Sequence, residues 1–291
     1  MNIHPQAIVS RHAQIGSDVS IGPFCIIEPE VVIGAGCSLG AGVVVKNGTT
    51  LGANNRVLEG AVLGGMPQHA RMPDRIGKLV VGCDNTIREF VTLHRALHEG
   101  VATEIGNNNL LMVGAHVGHD CHVGSNTIVA NNALLGGHVV VEDRAYVSGA
   151  VAVHQFCRIG RLAMVGGHAR VVQDVPPYVM VDGLSGHIVG LNLVGLRRNG
   201  FLAEEVAELK AAYRVIYRSG LKWTDVLTEL QSRFAKGAAA HFHTFLAQGT
   251  RGFVQERRLP PGSTLKLHRA AERVEHDTEG EEPRQYRSKA G

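Results

Sequence analysis

The sequence has few aromatic residues, few cysteines and no long apolar run. Aromatic residues make up 5% of the 291 residues, whereas glycine occurs 36 times. This composition favours a core of layered small aliphatic side chains over one centre of large rings. The five cysteines form no CxxC pair, which argues against a disulfide framework or a zinc ribbon.

Charge and hydropathy exclude two further classes. The formal net charge of +3 does not by itself indicate nucleic-acid binding, so no nucleic-acid partner is expected. No stretch of about 18 apolar residues occurs, so we expect no stable membrane insertion. The opening residues lack the basic and apolar regions of a secretory signal, and we therefore expect a cytoplasmic protein.

Branched aliphatic residues recur at every sixth position. Three runs share this spacing: Ile3 to Leu63, Val81 to Leu93, and Ile105 to Val171. A period of six fits neither an α-helix nor a lone alternating strand. It predicts a chain that turns a corner every six residues, so that three sides close a triangular coil and stacked coils form a parallel β-helix. Glycine often follows the aliphatic residue, as at Gly34 and Gly52, and we expect these glycines to supply unusual backbone angles at corners.

The repeat also predicts the domain organisation. The β-helix should span residues 1–190, with loops near 64–80 and 94–104 where the phase breaks. Apolar residues at helical spacing predict an α-helical domain over 191–255. Residues 256–291 are rich in charge and proline, and we expect a disordered tail there.

Histidines are frequent, and the repeat places several of them together. Residues about 18 apart should stack on adjacent coils. His119, His138 and His154 are separated by 19 and 16 residues, so one edge should carry all three. His98 and His116 are 18 apart and should form a neighbouring column.

His119 is followed directly by Asp120, the usual pairing for a general base. A carboxylate fixes the tautomer of the imidazole and favours the imidazolium that forms after proton uptake, and histidine titrates near neutral pH. Two alternatives stay open. Clustered histidines also suit zinc, as in a metal-dependent solenoid of the carbonic-anhydrase type, and polar residues also cover the outside of a non-catalytic scaffold.

Five segments resemble the UDP-N-acetylglucosamine O-acyltransferase family of lipid A biosynthesis. They are residues 109–132, 153–156, 173–178, 192–201 and 212–220. The resemblance implies a left-handed parallel β-helix with a C-terminal α-helical domain, assembled as a homotrimer. It also implies transfer of an (R)-3-hydroxyacyl chain from acyl carrier protein to the 3-hydroxyl of UDP-N-acetylglucosamine. Neither a metal nor a cofactor is implied, because the phosphopantetheine arm arrives on the acyl-carrier substrate.

The resemblance also implies roles for individual residues. His119 matches the general base, Asp120 its orienting partner, and the N–H of Gly137 the oxyanion donor. The residues that match substrate-binding positions are His138, His154, Gln155, His116, His94, Arg71, His69, Asn192 and Arg198. The residues that match the acyl-chain ruler are Gly167, Met164 and His168. The basic residues that would dock the acidic carrier are Arg197, Arg198, Arg214, Arg218 and Lys222.

Some positions depart from the family pattern. His69 and Arg71 replace an aspartate and a lysine, and Val194 stands where an acidic residue is common. Ser185 stands where histidine is frequent, and Ala96 where glycine is usual. The acceptor could therefore be an amino sugar, or the acyl donor a coenzyme A thioester.

Overall fold

The computed structural model describes residues 2–257, which contain 28 short strands and four helices. The strands in chain order are β1 (Asn2–Ile3), β2 (Ile8–Val9), β3 (Gln14–Ile15), β4 (Ser20–Ile21), β5 (Ile26–Ile27), β6 (Val32–Ile33), β7 (Ser38–Leu39), β8 (Val44–Val45), β9 (Thr49–Leu51), β10 (Arg56–Val57), β11 (Val62–Gly65), β12 (Lys78–Val81), β13 (Thr86–Ile87), β14 (Thr92–His94), β15 (Ala102–Ile105), β16 (Leu110–Leu111), β17 (His116–Val117), β18 (His122–Val123), β19 (Ile128–Val129), β20 (Leu134–Leu135), β21 (Val140–Val141), β22 (Tyr146–Val147), β23 (Ala152–Val153), β24 (Arg158–Ile159), β25 (Met164–Val165), β26 (Arg170–Val171), β27 (Val179–Val181) and β28 (Ile188–Leu191). The helices are α1 (Leu193–Arg198), α2 (Ala203–Arg218), α3 (Trp223–Arg233) and α4 (Ala240–Ala247).

The strands form three sheets, one for each side of a triangular coil. The first sheet starts with β1 and has 11 strands, the second starts with β2 and has 9, and the third starts with β3 and has 8. Each strand pairs in parallel with the strand one coil further on, except that β27 and β28 are antiparallel. The prediction of a left-handed parallel β-helix with C-terminal helices is confirmed.

The core consists of the repeat aliphatics, stacked in ladders inside the coil. Leu63, Leu93, Val117 and Leu135, on successive strands of the second sheet, are fully buried. Four of the five cysteines lie beside these ladders as free, buried thiols, and buried thiols pack as small hydrophobes. A second residue, two positions before the aliphatic, also points inward and is fully buried, as at Val31, Val43 and Val139.

The backbone at the corners differs from the sequence expectation. The left-handed positions are occupied by residues such as Asp18, Phe24 and Glu30, with φ of 55, 59 and 60°. Gly34 and Gly52 follow the aliphatic residues but are not among the described residues with positive φ. Glycine is required at these positions because successive coils stack closely: a Cβ on Gly34 would lie 2.6 Å from the carbonyl carbon of Gly52 in the next coil. The expectation that these glycines supply unusual angles was therefore wrong.

The two predicted loops are shorter than the breaks in the repeat. The first connects β11 to β12 through residues 66–77, and the second connects β14 to β15 through residues 95–101. The strands extend into both breaks because β12 and β15 pair over four residues, starting at Lys78↔Ala102. The pairing is set by backbone contacts between the two insertions, which aliphatic spacing does not reveal.

The helices pack against the last coils. Leu162 and Tyr178 of the β-helix share a buried cluster with apolar residues from all four helices, including Leu196, Leu209 and Phe242. Among the described residues, no helix combines the length and apolar character that crossing a membrane requires.

The segment after α4 returns to the β-helix, which the sequence did not predict. Phe253 forms a parallel β-bridge with Asp174, and Glu256 forms one with Ile188. Glu256 also accepts a hydrogen bond from Arg218 at 2.6 Å. Glu256 and Arg257, the first two residues of the predicted tail, are held by main-chain pairing with Ile188. The predicted tail from 258 to 291 lies outside the described residues.

Candidate active site

His119 and Asp120 lie at the edge where the chain passes from the second sheet to the third. Asp120 occupies the left-handed corner position, with φ of 58°. Its Oδ2 lies 2.6 Å from Nδ1 of His119, which is 7% exposed. A carboxylate accepts but does not donate, so Nδ1 carries the hydrogen and Nε2 keeps a lone pair. The pair therefore presents a proton acceptor at Nε2.

One contact from the second loop and one from β15 hold Asp120. The N–H of Leu97 donates to Asp120 Oδ2 at 3.0 Å, and the N–H of Asp120 donates to Thr103 Oγ1 at 2.8 Å. The first contact holds the carboxylate and the second holds the main chain of Asp120, and neither involves the imidazole. Sequence reasoning missed Leu97 and Thr103, because the insertion that carries Leu97 breaks the repeat that would have placed it.

Gly137 lies next to the free nitrogen of His119. A Cβ at Gly137 would be 2.7 Å from His119 Nε2, so no larger residue fits there without moving the ring. The carbonyl of Gly137 accepts from the N–H of Phe156 at 3.0 Å. Within residues 2–257, the N–H of Gly137 donates no hydrogen bond. A residue whose N–H is unbonded in this range thus lies next to the proton acceptor at Nε2.

His138 joins the same edge. Its ring lies 5.1 Å from that of His119, edge to face, and its Nε2 lies 3.8 Å from Asp120 Oδ2. Burial lowers the pKa of His138, and Asp120 partly opposes this shift. Phe156 stacks on the His138 ring at 4.5 Å. Sequence reasoning missed Phe156, although it stands one coil above His138 in the repeat and could have been found there.

His94 and His116 form a second pair, with ring centroids 4.9 Å apart. His94 Nδ1 lies 2.6 Å from the carbonyl oxygen of Met66, and His116 Nδ1 lies 2.9 Å from Thr92 Oγ1. Burial, followed by the charge of His94, lowers the pKa of His116 to about 4. Burial is also the main cause that lowers the pKa of His94. Both imidazoles are therefore neutral at pH 7.

The predicted column of His98 and His116 is wrong. His116 pairs with Thr92, 24 residues earlier, rather than with His98. The insertion at 95–101 lengthens this coil, so a spacing of 18 no longer means neighbouring coils. The charge of His98 is one of the smaller causes that lower the pKa of His138, after burial.

His69 and Arg71 lie in the first loop. The ring of His69 lies 5.8 Å from that of His119, edge to face. Its Nδ1 contacts the main chain of Arg71, at 2.7 Å from the carbonyl oxygen and 3.1 Å from the nitrogen. The loop therefore reaches over the proposed base, and His69 and Arg71 are both exposed.

His154 and Gln155 lie on the same edge, one coil beyond Gly137. Both are exposed. Nδ1 of His154 lies 3.1 Å from the carbonyl oxygen of Gln155 and 3.2 Å from Nη2 of Arg251. Arg251 was missed, and no sequence signal could have found it, because it lies 97 residues away on the returning segment.

Asn192 and Arg198 lie elsewhere, at a cavity of about 870 Å³ between α1 and the first sheet. Asn192 is the N-cap of α1: its Oδ1 accepts from the N–H of Gly195 at 2.9 Å, and its Nδ2 donates to the carbonyl of Leu162 at 2.9 Å. Its amide is thus committed to the fold. Met164 also lines this cavity, as does Val194, which is 57% exposed.

Gly167 and His168 lie at the edge that joins the first sheet to the second, between β25 and β26. Within one chain, two of the three proposed ruler residues are therefore at a different edge from His119. A Cβ at Gly167 would meet only the carbonyl oxygen of Gly149, at 3.4 Å.

The basic residues proposed for carrier docking are exposed on α1, α2 and the start of α3. Arg218 is paired with Glu256, which lowers the pKa of the Glu256 carboxyl. Its charge is therefore already compensated.

A metal ion could find three ligands at the main cluster. His119, Asp120 and His138 offer atoms that all lie within 4.8 Å of one another. Binding through Asp120 Oδ2 and His119 Nδ1 would break their 2.6 Å contact. Through those two atoms, metal binding and orientation of His119 would compete.

Known proteins share both parts of this chain. A family model described as UDP N-acetylglucosamine O-acyltransferase, domain 2, matches residues 174–254. A model of the bacterial transferase hexapeptide repeat matches residues 12–47 and 102–137.

Named relatives extend the match along the chain. An acyl-carrier-protein–UDP-N-acetylglucosamine O-acyltransferase from Anaeromyxobacter dehalogenans is 47% identical over 257 residues, which is 88% of this chain and 100% of that protein. One from a Synechocystis strain is 46% identical over 183 residues, 62% of this chain and 66% of that protein. The crystal structure of the Francisella novicida UDP-N-acetylglucosamine acyltransferase superimposes with a TM-score of 0.84 at 35% identity, and covers 94% of this chain and 100% of that one. Through its fold and this full-length similarity, the chain belongs to the family of acyl-carrier-protein–UDP-N-acetylglucosamine O-acyltransferases.

Proposed function

We propose that this chain transfers an (R)-3-hydroxyacyl chain from acyl carrier protein to the 3-hydroxyl of UDP-N-acetylglucosamine, in the first step of lipid A biosynthesis. The observation that carries the proposal is the line of Asp120, His119 and Gly137. Nε2 of His119 has a lone pair and lies beside the Cα of Gly137, whose N–H makes no hydrogen bond within residues 2–257. An acceptor for a proton next to a donor for an oxyanion is what acyl transfer requires.

The reaction proceeds without a covalent enzyme intermediate. His119 Nε2 takes the proton of the sugar hydroxyl as its oxygen bonds to the thioester carbonyl carbon. The carbonyl oxygen becomes an oxyanion that accepts from the Gly137 N–H, a contact worth about 3 kcal/mol in a transition state. The C–S bond then breaks, and the leaving sulfur takes the proton from Nε2. Asp120 stabilises the imidazolium between these steps.

Neutral imidazoles surround this site, and we assign them to substrate. His138, His94 and His116 have lowered pKa values and therefore donate or accept hydrogen bonds without adding charge. His69 and Arg71 cover the sugar from the loop, and His154 and Gln155 extend the edge toward the acyl carrier. Arg198 binds a phosphate group of the nucleotide or carrier, since guanidinium suits phosphate geometry.

We propose that the working enzyme is a homotrimer. His119 and Gly167 lie at different edges of one chain, so a site that uses both needs a neighbouring copy. The outer face of the second sheet between those edges carries the exposed apolar residues Ile8, Ile26 and Leu134, at 67, 40 and 48%. An apolar face of this kind favours association. The acyl carrier would dock on the basic helices, and a cytoplasmic location stays a prediction.

The experiment offers the purified protein UDP-N-acetylglucosamine with hydroxyacyl carriers of several lengths. We expect one O-acylated product, formed at the same rate after chelator treatment. A UDP-sugar with an amine at the 3-position tests the amino-sugar acceptor, and acyl-coenzyme A tests the other donor. No acyl transfer to any acceptor would contradict the proposal, and loss of activity with the chelator would favour the metal-dependent alternative.

A further inference from the structure

Arg251 reaches the active-site edge from the segment that follows α4. The backbone around it is fixed, because the N–H of Asp174 donates to the carbonyl of Gly252 at 3.0 Å and the N–H of Val254 donates to the carbonyl of Asp174 at 2.9 Å. From this anchor the Arg251 side chain extends to the β-helix. Its Nη2 lies 3.2 Å from Nδ1 of His154 and donates to the carbonyl of Val172 at 3.4 Å.

The guanidinium determines which nitrogen of His154 carries the hydrogen. Every nitrogen of arginine donates and none accepts. Nδ1 of His154 must therefore hold a lone pair when it faces Arg251, which leaves the hydrogen on Nε2.

One neighbouring contact favours the opposite tautomer. The carbonyl oxygen of Gln155 lies 3.1 Å from the same Nδ1 and would need a hydrogen there. The two contacts cannot be made at once. Hydrogen bonds with a charged partner are about twice as strong as neutral ones, so the guanidinium contact decides the tautomer.

We propose that Arg251 is a positioning residue that holds His154 as the neutral Nε2–H tautomer, so that Nε2–H donates into the acyl-transfer site. This inference rests on the proposed function for the identity of the group that Nε2–H meets, which is an oxygen of the sugar or of the thioester. It assigns the returning segment after α4 a part in the reaction. Arg251 itself touches His154 and not the substrate.

The test is ¹⁵N NMR of the full chain labelled at histidine, with the His154 signal assigned through His154→Gln. The protonated nitrogen and the lone-pair nitrogen resonate in separate ranges, so the spectrum of the unaltered, ligand-free protein reports the tautomer directly. We expect Nε2–H. Observation of Nδ1–H would overturn the proposal without the use of any variant at Arg251.

Variants then test the role of the guanidinium. Arg251→Met removes the donors, and we expect His154 to shift toward Nδ1–H and kcat/KM to fall about tenfold. Arg251→Lys keeps a donor and should restore the native spectrum and most of the rate. Arg233→Met, which removes a charge paired with Glu229 on α3, should change neither. An unchanged His154 spectrum or an unchanged rate in Arg251→Met would reject the role.

The two proposals fail in different ways. If the unaltered protein acylates no UDP-sugar, the proposed function is wrong, whereas the tautomer measured without ligand still decides whether Arg251 sets the state of His154.

Discussion

His119 Nδ1 lies 2.6 Å from Asp120 Oδ2, and this contact turns Nε2 toward Gly137. The carboxylate is itself held by the N–H of Leu97. The proposed base is therefore oriented before any substrate binds. Such preorganisation lowers the cost of reaching the transition state.

Removal of the proposed base should nearly abolish turnover. We expect His119→Ala to lower kcat by about 10²- to 10⁴-fold, since general-base catalysis contributes that much. Asp120→Ala should cost less, roughly 10- to 100-fold, because the imidazole remains but loses its orientation. Steady-state kinetics on saturating substrates measures both. His122→Ala is the control, because His122 is exposed on β18 and faces Glu104 instead. Near-normal turnover of His119→Ala would remove His119 from the mechanism.

A single methyl group at Gly137 should also abolish activity. In Gly137→Ala the new Cβ would lie 2.7 Å from His119 Nε2, so the ring must leave its position beside Asp120. We expect at least about a 100-fold loss in kcat, comparable to loss of an oxyanion donor. The matched control is Gly149→Ala, where the nearest atom is the carbonyl oxygen of Asn131 at 3.4 Å. Equal rates for the two variants would refute the contact.

The stability of the protein should fall with acidification because of His116. The unfolded imidazole has a pKa near 6.5, whereas in the fold it is about 4. Between pH 6.5 and pH 4 the imidazole is protonated in the unfolded state but not in the fold. The contribution of His116 to the free energy of unfolding is therefore fully present above pH 6.5 and is lost as the pH falls toward 4. The lost free energy of unfolding is at most about 3 kcal/mol.

Urea unfolding at fixed protein concentration, repeated from pH 7 to pH 4, measures this loss. His116→Gln has no titrating group there and should show a flatter dependence. A slope identical to that of the unaltered protein would show that His116 is not the cause.

Filling the space at Gly167 should shorten the acyl chain that is accepted. Glycine carries no side chain at this proposed ruler position, and among the described residues a Cβ there meets only the carbonyl oxygen of Gly149, at 3.4 Å. We therefore expect Gly167→Met to fold and to prefer a shorter hydroxyacyl carrier than the unaltered enzyme. Competition between carriers of different length measures the preference. The same ranking of chain lengths in both proteins would contradict the ruler role of Gly167.

The repeat made much of the active-site edge predictable. Because the coil closes after 18 residues, His119 and His138 could be placed together from their spacing alone. Phe156 was within reach of the same argument. The spacing could not place His98 relative to His116, since an insertion of unknown register lies between their coils. It could not place Leu97 either, because Leu97 lies in that insertion.

Sequence alone thus determined the period, the ladders of buried aliphatics and the pairing of His119 with Asp120, because these depend on neighbours in the chain or on a regular repeat. Only the tertiary structure decided that Arg251 meets His154 and that the loop amide of Leu97 holds Asp120. It also placed Gly167 at a different edge from the base. The physical reason is that these contacts join segments whose separation is set by packing and by the register of insertions, and no local pattern of residues encodes that distance.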